Sequence, residues 1–266
     1  MKFIATSALA VLIVLPPSPL QAAEGVLIME KSVTGITTRT SQIQIEKDRM
    51  RAEIAGATGD TQIVVFDGPG QVMRIINNER KSYTELTKAD ADKMGAQVTS
   101  AMAGMKEKME SLPPAQRAQM EAMMARMGRA GLGGAPVKTV YRRAGSDKVG
   151  KWTCDKYEGF QGELKVSEVC TVEPTTLGFV AADFEISKQV ATFFQSLSAQ
   201  GPNQMFGIGT LETQGFSGLP VRRITYRDGK VGTTSELIEV KRQTFDAATY
   251  EVPAGYQKQT MGRGPR

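Results

Sequence analysis

The sequence predicts an α+β protein, a curved antiparallel sheet packed against a methionine-rich helical hairpin and one further helix. Extended, β-branched runs broken by short turns fill Gly25 to Glu85 and resume after Pro136. Turns this short make neighbouring strands antiparallel, because parallel strands need long crossovers. At Thr87 the apolar period lengthens from two to about three and a half, which marks a helix, and the longer period returns between Asp183 and Leu197.

The chain begins with Lys2, a charge-free and largely apolar run from Phe3 to Leu15, two prolines, and small residues at Ala22 and Ala23. That pattern reads as a signal peptide over residues 1–22, cleaved after Ala22. The apolar run is shorter than the ~20 residues that span a bilayer. The expected product is exported, periplasmic or secreted, and carries no lipid anchor.

One α+β domain is expected over residues 23–256, followed by a flexible tail at 257–266. Strands are expected at Val26 to Thr34, Thr37 to Lys47, Arg49 to Ile54, Thr61 to Phe66, Val72 to Asn77 and Lys81 to Glu85. A helical hairpin is expected to interrupt the sheet at about residues 88–130. Thr87 and Asp90 form a capping box at its start, and Met94, Val98, Ala101, Met105, Met109 and Leu112 share one stripe. Pro113-Pro114 breaks that helix, and Met120, Met123, Met124 and Met127 line the second one until a glycine-rich stretch ends it. Extended structure resumes from Val137 to Arg143. The later helix carries Ile186, Val190, Phe193, Phe194 and Leu197 on one side. Asp228-Gly229 then sits between two β-like runs, Leu219 to Tyr226 and Val231 to Gln243, a strong hairpin signal.

Cys154 and Cys170 are the chain's two cysteines, and in an oxidising compartment an even pair reads as a disulfide. Folding the chain back at Gln161-Gly162-Glu163 sets Phe160 opposite Leu164, Lys156 opposite Glu168, and Cys154 opposite Cys170. Closing that loop is worth about 3 kcal/mol.

Histidine is absent, which removes Ser-His-Asp and Cys-His catalysis, His-ligated zinc and the usual neutral-pH proton shuttle. P-loop, Gly-x-Ser-x-Gly and dinucleotide-binding motifs are also missing. Gly215-Phe216-Ser217-Gly218 imitates a nucleophile elbow but is out of register and reads as a loop. No enzymatic activity and no cofactor are expected.

Several short phrases carry a resemblance. They are Ile45-Glu46-Lys47-Asp48-Arg49-Met50-Arg51, Val65-Phe66-Asp67, Lys81-Ser82-Tyr83, Pro113-Pro114-Ala115-Gln116-Arg117, Cys154-Asp155-Lys156-Tyr157 and Tyr250-Glu251-Val252-Pro253-Ala254-Gly255-Tyr256. Together with the order of elements they resemble a family of uncharacterised exported bacterial proteins, domain of unknown function 4412. The strand order and the closing Val-Pro-Ala-Gly-Tyr also look like the half-barrel of periplasmic lipoprotein carriers. That likeness implies a half-barrel-like sheet around helices, with an apolar cavity that holds acyl chains.

Eight of the 14 methionines fall between Met94 and Met127. Such a stripe fits an adaptable core, a movable lid over an apolar ligand, or thioether ligation of Cu(I), and periodicity does not separate the three. The leading expectation is noncatalytic binding of an apolar or lipid ligand, with Met105, Met109, Met120, Met123, Phe193 and Phe194 lining the cavity. The alternatives are a Cu(I)-binding metal-stress protein and a structural envelope protein with a filled core. A formal net charge of +5, with pairs such as Arg142-Arg143, Arg222-Arg223 and Lys241-Arg242, admits peripheral contact with an anionic envelope surface. Nucleic acid is not an expected partner.

Overall fold

The computed structural model describes residues 23–55, 61–119, 139–194 and 215–260. The expected signal peptide, Met120 and Met123 lie outside the described residues, as does nearly all of the second helix of the hairpin.

Two meanders join into one open, half-barrel-like sheet, twelve-stranded among the described residues. The first comprises β1 (Ala23–Thr34), β2 (Thr37–Ile45), β3 (Arg49–Ala55), β4 (Thr61–Asp67), β5 (Val72–Asn77) and β6 (Ser82–Thr87). The second comprises β7 (Val140–Val149), β8 (Trp152–Gln161), β9 (Leu164–Val172), β10 (Leu219–Arg227) and β11 (Lys230–Phe245). β1 pairs antiparallel with β11 along its whole length and joins the meanders. Asp228 and Gly229 both have positive φ, 52° and 72°, as the tight β10–β11 turn requires.

Alternation along the strands of the first meander builds two apolar layers. Val64 and Phe66 of β4 join Ile45, Met50, Met73 and Leu86 on one face, covered by α2 (Glu185–Phe194) through Ile186, Val190, Phe193 and Phe194. Ile63 and Val65 belong with Leu27 and Ile76 to a second cluster, covered by Phe245 and Tyr250 of the C-terminal segment. That segment continues to β12 (Gln257–Gln259), which pairs in parallel with β6 at the sheet's edge. The expectation of a flexible tail at residues 257–266 is corrected at Gln257–Gln259, and residues 261–266 lie outside the described residues. The amide of Gln257 donates to the Lys81 carbonyl and Lys258 reaches Glu85, contacts made by residues far apart in the chain.

A third cluster unites Trp152, Cys154, Cys170 and Val172 with Val26, Val221, Leu177 and Phe179. The Cys154–Cys170 disulfide is present, with Cα atoms 5.4 Å apart. Its hairpin register differs from the expected one, because Lys156 rather than Cys154 stands opposite Cys170. The turn holds only Gly162 and Glu163, and a bulge between Gly159 and Phe160 leaves Val166 without a direct partner. A bulge shifts every pair beyond it, so a simple reflection of the chain about Gly162 misses the register. β7 also outruns its expected end at Arg143, passing through a second bulge that contains Gly145.

Candidate functional site

Helix α1 (Lys88–Glu110) starts from a reciprocal cap. The Asp90 amide donates to the Thr87 hydroxyl at 3.2 Å, and the Asp90 carboxylate accepts from the Thr87 amide at 3.1 Å. Hydrogen bonds from the Thr87 hydroxyl and amide hold the Asp90 carboxyl below its ordinary range. Ala91 of the first turn is fully buried in the core with Phe193 and Phe194. The far end is capped by a side chain, since the Arg117 guanidinium donates to the carbonyls of Met109 and Glu110 at 3.2 and 2.6 Å. The last carbonyls of a helix lack intrahelical partners, and a cation there also meets the helix dipole favourably. The Pro113-Pro114-Ala115-Gln116-Arg117 phrase therefore closes α1 and opens a short helical stretch at residues 114–119.

Between those caps the apolar stripe faces outward. Met94, Val98 and Met105 are 38, 47 and 51% exposed, and Met109 is half-buried. Met105, expected to line a cavity, is exposed among the described residues, and α1 reaches the core through Ala91. Phe193 and Phe194 are core residues. Phe193 is fully buried with its ring 5.3 Å from Phe66 and 5.5 Å from Phe194, in edge-on geometry. Of the expected set, Met105 is exposed, Met109 is half-buried, and Phe193 and Phe194 are packed in the core.

Three carboxylates are buried among the described residues: Asp183, 5% exposed and met by Arg242 at 2.8 Å, together with Glu168 and Glu46. Glu168 on β9 is 7% exposed and is met by Lys165 at 2.9 Å, Lys156 at 3.2 Å and Arg222 at 3.7 Å. Burial opposes its charge, but hydrogen bonds from Lys165 and Lys156 outweigh that and hold the carboxyl below its ordinary range. Arg222 also binds Asp147, and Lys165 binds Glu158, so the group is a closed ionic network. Glu46 at the end of β2 is 4% exposed. One oxygen meets Arg49 at 2.9 Å, whose guanidinium lies 4.7 Å from the Tyr250 ring centroid. Its other oxygen and the Tyr250 hydroxyl have no hydrogen-bond partner among the described residues. Burial raises the Glu46 carboxyl against the opposing pull of Arg49. Their nearest ionic partners lie three residues away, Arg49 from Glu46 and Lys165 from Glu168, and the expected hairpin already set Lys156 opposite Glu168; only Arg222 and Tyr250 come from distant parts of the chain.

A cleft of about 240 Å³ beside the disulfide is lined by hydroxyls, among them Ser146, Thr153, Thr171 and Ser217. Ser217 sits there on a loop between Gly215 and Gly218, both at positive φ. The flanking Phe216 is buried against Tyr141, so this segment anchors an aromatic contact. Among the described residues no cluster of three or more acidic or cysteine side chains is arranged to hold a metal ion.

Residues 170–256 match the family model of Domain of unknown function (DUF4412). The matched span runs from Cys170 through α2, β10 and β11 to Tyr256, and the other phrases that carried the resemblance lie before it. Phrases outside the matched span nevertheless meet it in space. Glu46 and Arg49 contact Tyr250, the Phe66 ring lies 5.3 Å from that of Phe193, and Cys154 is bonded to Cys170. The chain is also similar to an uncharacterized conserved protein from Thermus thermophilus, known from a crystal structure, with 8% identity and a TM-score of 0.45 over 90% of this chain and 91% of that one. No curated protein matches the chain.

Proposed function

We propose that the protein is exported to the cell envelope and binds an apolar or acyl-bearing ligand without catalysing a reaction, using the methionine-bearing face of α1. The observation that carries this reading is the exposed row of Met94, Val98 and Met105 on a helix anchored at its first turn. Keeping such a face in water costs about 25 cal/mol per Å² relative to covering it, and methionine adapts to apolar partners of varied shape. A half-barrel-like sheet beneath the helices and the likeness to lipoprotein carriers support a ligand with acyl chains. The leader-like N-terminus and the Cys154–Cys170 disulfide support an oxidising compartment.

Fluorescent fatty-acid titration of the folded protein tests the reading. Saturable binding is expected, with affinity reduced about tenfold or more in Val98→Lys/Met105→Lys, since two charges then line an apolar contact. Equal binding by that variant removes the site. Stoichiometric Cu(I) uptake that is lost in Met105→Leu/Met109→Leu, in place of fatty-acid uptake, reassigns the stripe to thioether ligation.

A further inference from the structure

A rim of apolar hairpin tips stands at the end of the sheet away from α1. The pairing register draws a level line across seven strands, through Thr37, Thr34, Thr233, Thr225, Ser167, Gly159 and Tyr141. Immediately beyond that line lie the β1–β2, β10–β11 and β8–β9 turns and the start of edge strand β7. Each presents one exposed aliphatic residue. Ile36 is fully exposed in the first turn, and Val231, Leu164 and Val140 are 59, 53 and 50% exposed. Neighbouring strands are about 4.8 Å apart, so the three turns follow one another at intervals of about 10 Å. α1 leaves from the opposite end. Leu86, just before it, is level through five successive pairs with Val26, eight residues down β1 from Thr34.

These side chains do nothing for the turns that carry them. Ile36 occupies a two-residue hairpin connection where glycine, asparagine and aspartate are the usual choices, and it has no packing partner among the described residues to recover its hydration cost. Charge at the rim is mixed but has an open positive element. Asp228 and Glu163 are acidic, Lys165 is bound to Glu158 and Glu168, and Arg227 and Lys230 flank Val231 exposed and without an ion pair among the described residues.

We infer that this rim docks the protein on an anionic lipid surface. Ile36, Val231 and Leu164 enter the headgroup boundary, while Arg227 and Lys230 meet lipid phosphates. Shallow apolar insertion combined with basic residues is how peripheral proteins hold a membrane without spanning it. The inference stands apart from the α1 reading, because rim and helix occupy opposite ends of the strands.

Flotation of the full chain with phosphatidylethanolamine–phosphatidylglycerol vesicles tests it. The wild type is expected to float with these vesicles and to bind phosphatidylcholine vesicles more weakly. Ile36→Asp/Leu164→Asp/Val231→Asp should lose about tenfold or more in vesicle affinity with an unchanged circular dichroism spectrum. Ile36→Asp alone serves if the triple variant misfolds, and Ile238→Asp, at an exposed aliphatic residue of β11 away from the rim, should float as the wild type does. Absence of wild-type flotation, undiminished flotation of the rim variants, or an equal loss in Ile238→Asp would each overturn the inference. A concentration-dependent dimer abolished by the rim substitutions would assign the rim to a second copy of the chain and overturn it equally.

Discussion

The two meanders share one sheet but are held by different physics. β1 to β6 lie between two apolar layers, α2 on one face and the C-terminal segment on the other, and the buried Glu46 is paired with Arg49, which lies over the Tyr250 ring. β7 to β10 also pack an apolar cluster, around Trp152, Val221 and Phe179, and add to it a covalent bond and the ionic network around Glu168. The difference follows from what covers each half. Where a helix or strap lies on the strands, alternating apolar residues repay burial directly. Where polar residues are buried within the sheet, they must satisfy one another.

Substitutions sharpen that contrast in descending order of effect. Phe193→Ala should cost about 3–5 kcal/mol in chemical denaturation, because it empties a fully buried ring site beside Phe66. Replacing both cysteines by serine should cost about 3 kcal/mol, given the 16-residue separation, with the loss read as a lower melting temperature. An equal effect of these two changes on local hydrogen exchange in both halves would break the distinction.

The buried Glu168 and Glu46 supply the finest comparison, since their shifts have opposite sign. The Glu168 carboxyl is depressed, so its contribution is present above the ordinary value of 4.5 and is lost as pH falls through the lower folded value. The Glu46 carboxyl is raised, so the folded state holds its proton more tightly. Its contribution is present below 4.5 and declines as pH rises through the raised folded value. Glu168→Gln should therefore destabilise the protein by about 1–3 kcal/mol at neutral pH by stripping the negative partner from Lys156 and Lys165. Glu46→Gln should be close to neutral there and should remove the decline in stability just above pH 4.5. Denaturation midpoints across the acidic to neutral range read both, and parallel pH profiles would refute the assignment.

Much of the fold was legible because its signals are local. Alternation at Ile63 to Phe66, the Thr87–Asp90 cap and the Asp228-Gly229 turn each act within a few residues, and each appears where the pattern put it. Less of the candidate site was legible. Met94, Val98 and Met105 share the spacing of a core stripe, yet among the described residues they are exposed while Ala91 of the first turn is buried, which no periodicity distinguishes. Phe193 and Phe194 have the same helical spacing whether they line a cavity or fill a core, and Phe66, more than a hundred residues earlier, decided for the core.

By itself, then, the sequence determined the α+β class, the boundaries of most strands and helices, and the identity of the disulfide partners, because periodicity, turn chemistry and cysteine count are properties of short segments. Only the tertiary structure decided the hairpin register, the return of Gln257 to β6, the approach of Tyr250 to Glu46 and of Arg222 to Glu168, and the alignment of Ile36, Val231, Leu164 and Val140 on one rim. Those features depend on bulges and on contacts between distant strands, where a one-residue shift changes every later neighbour and no local pattern records the result.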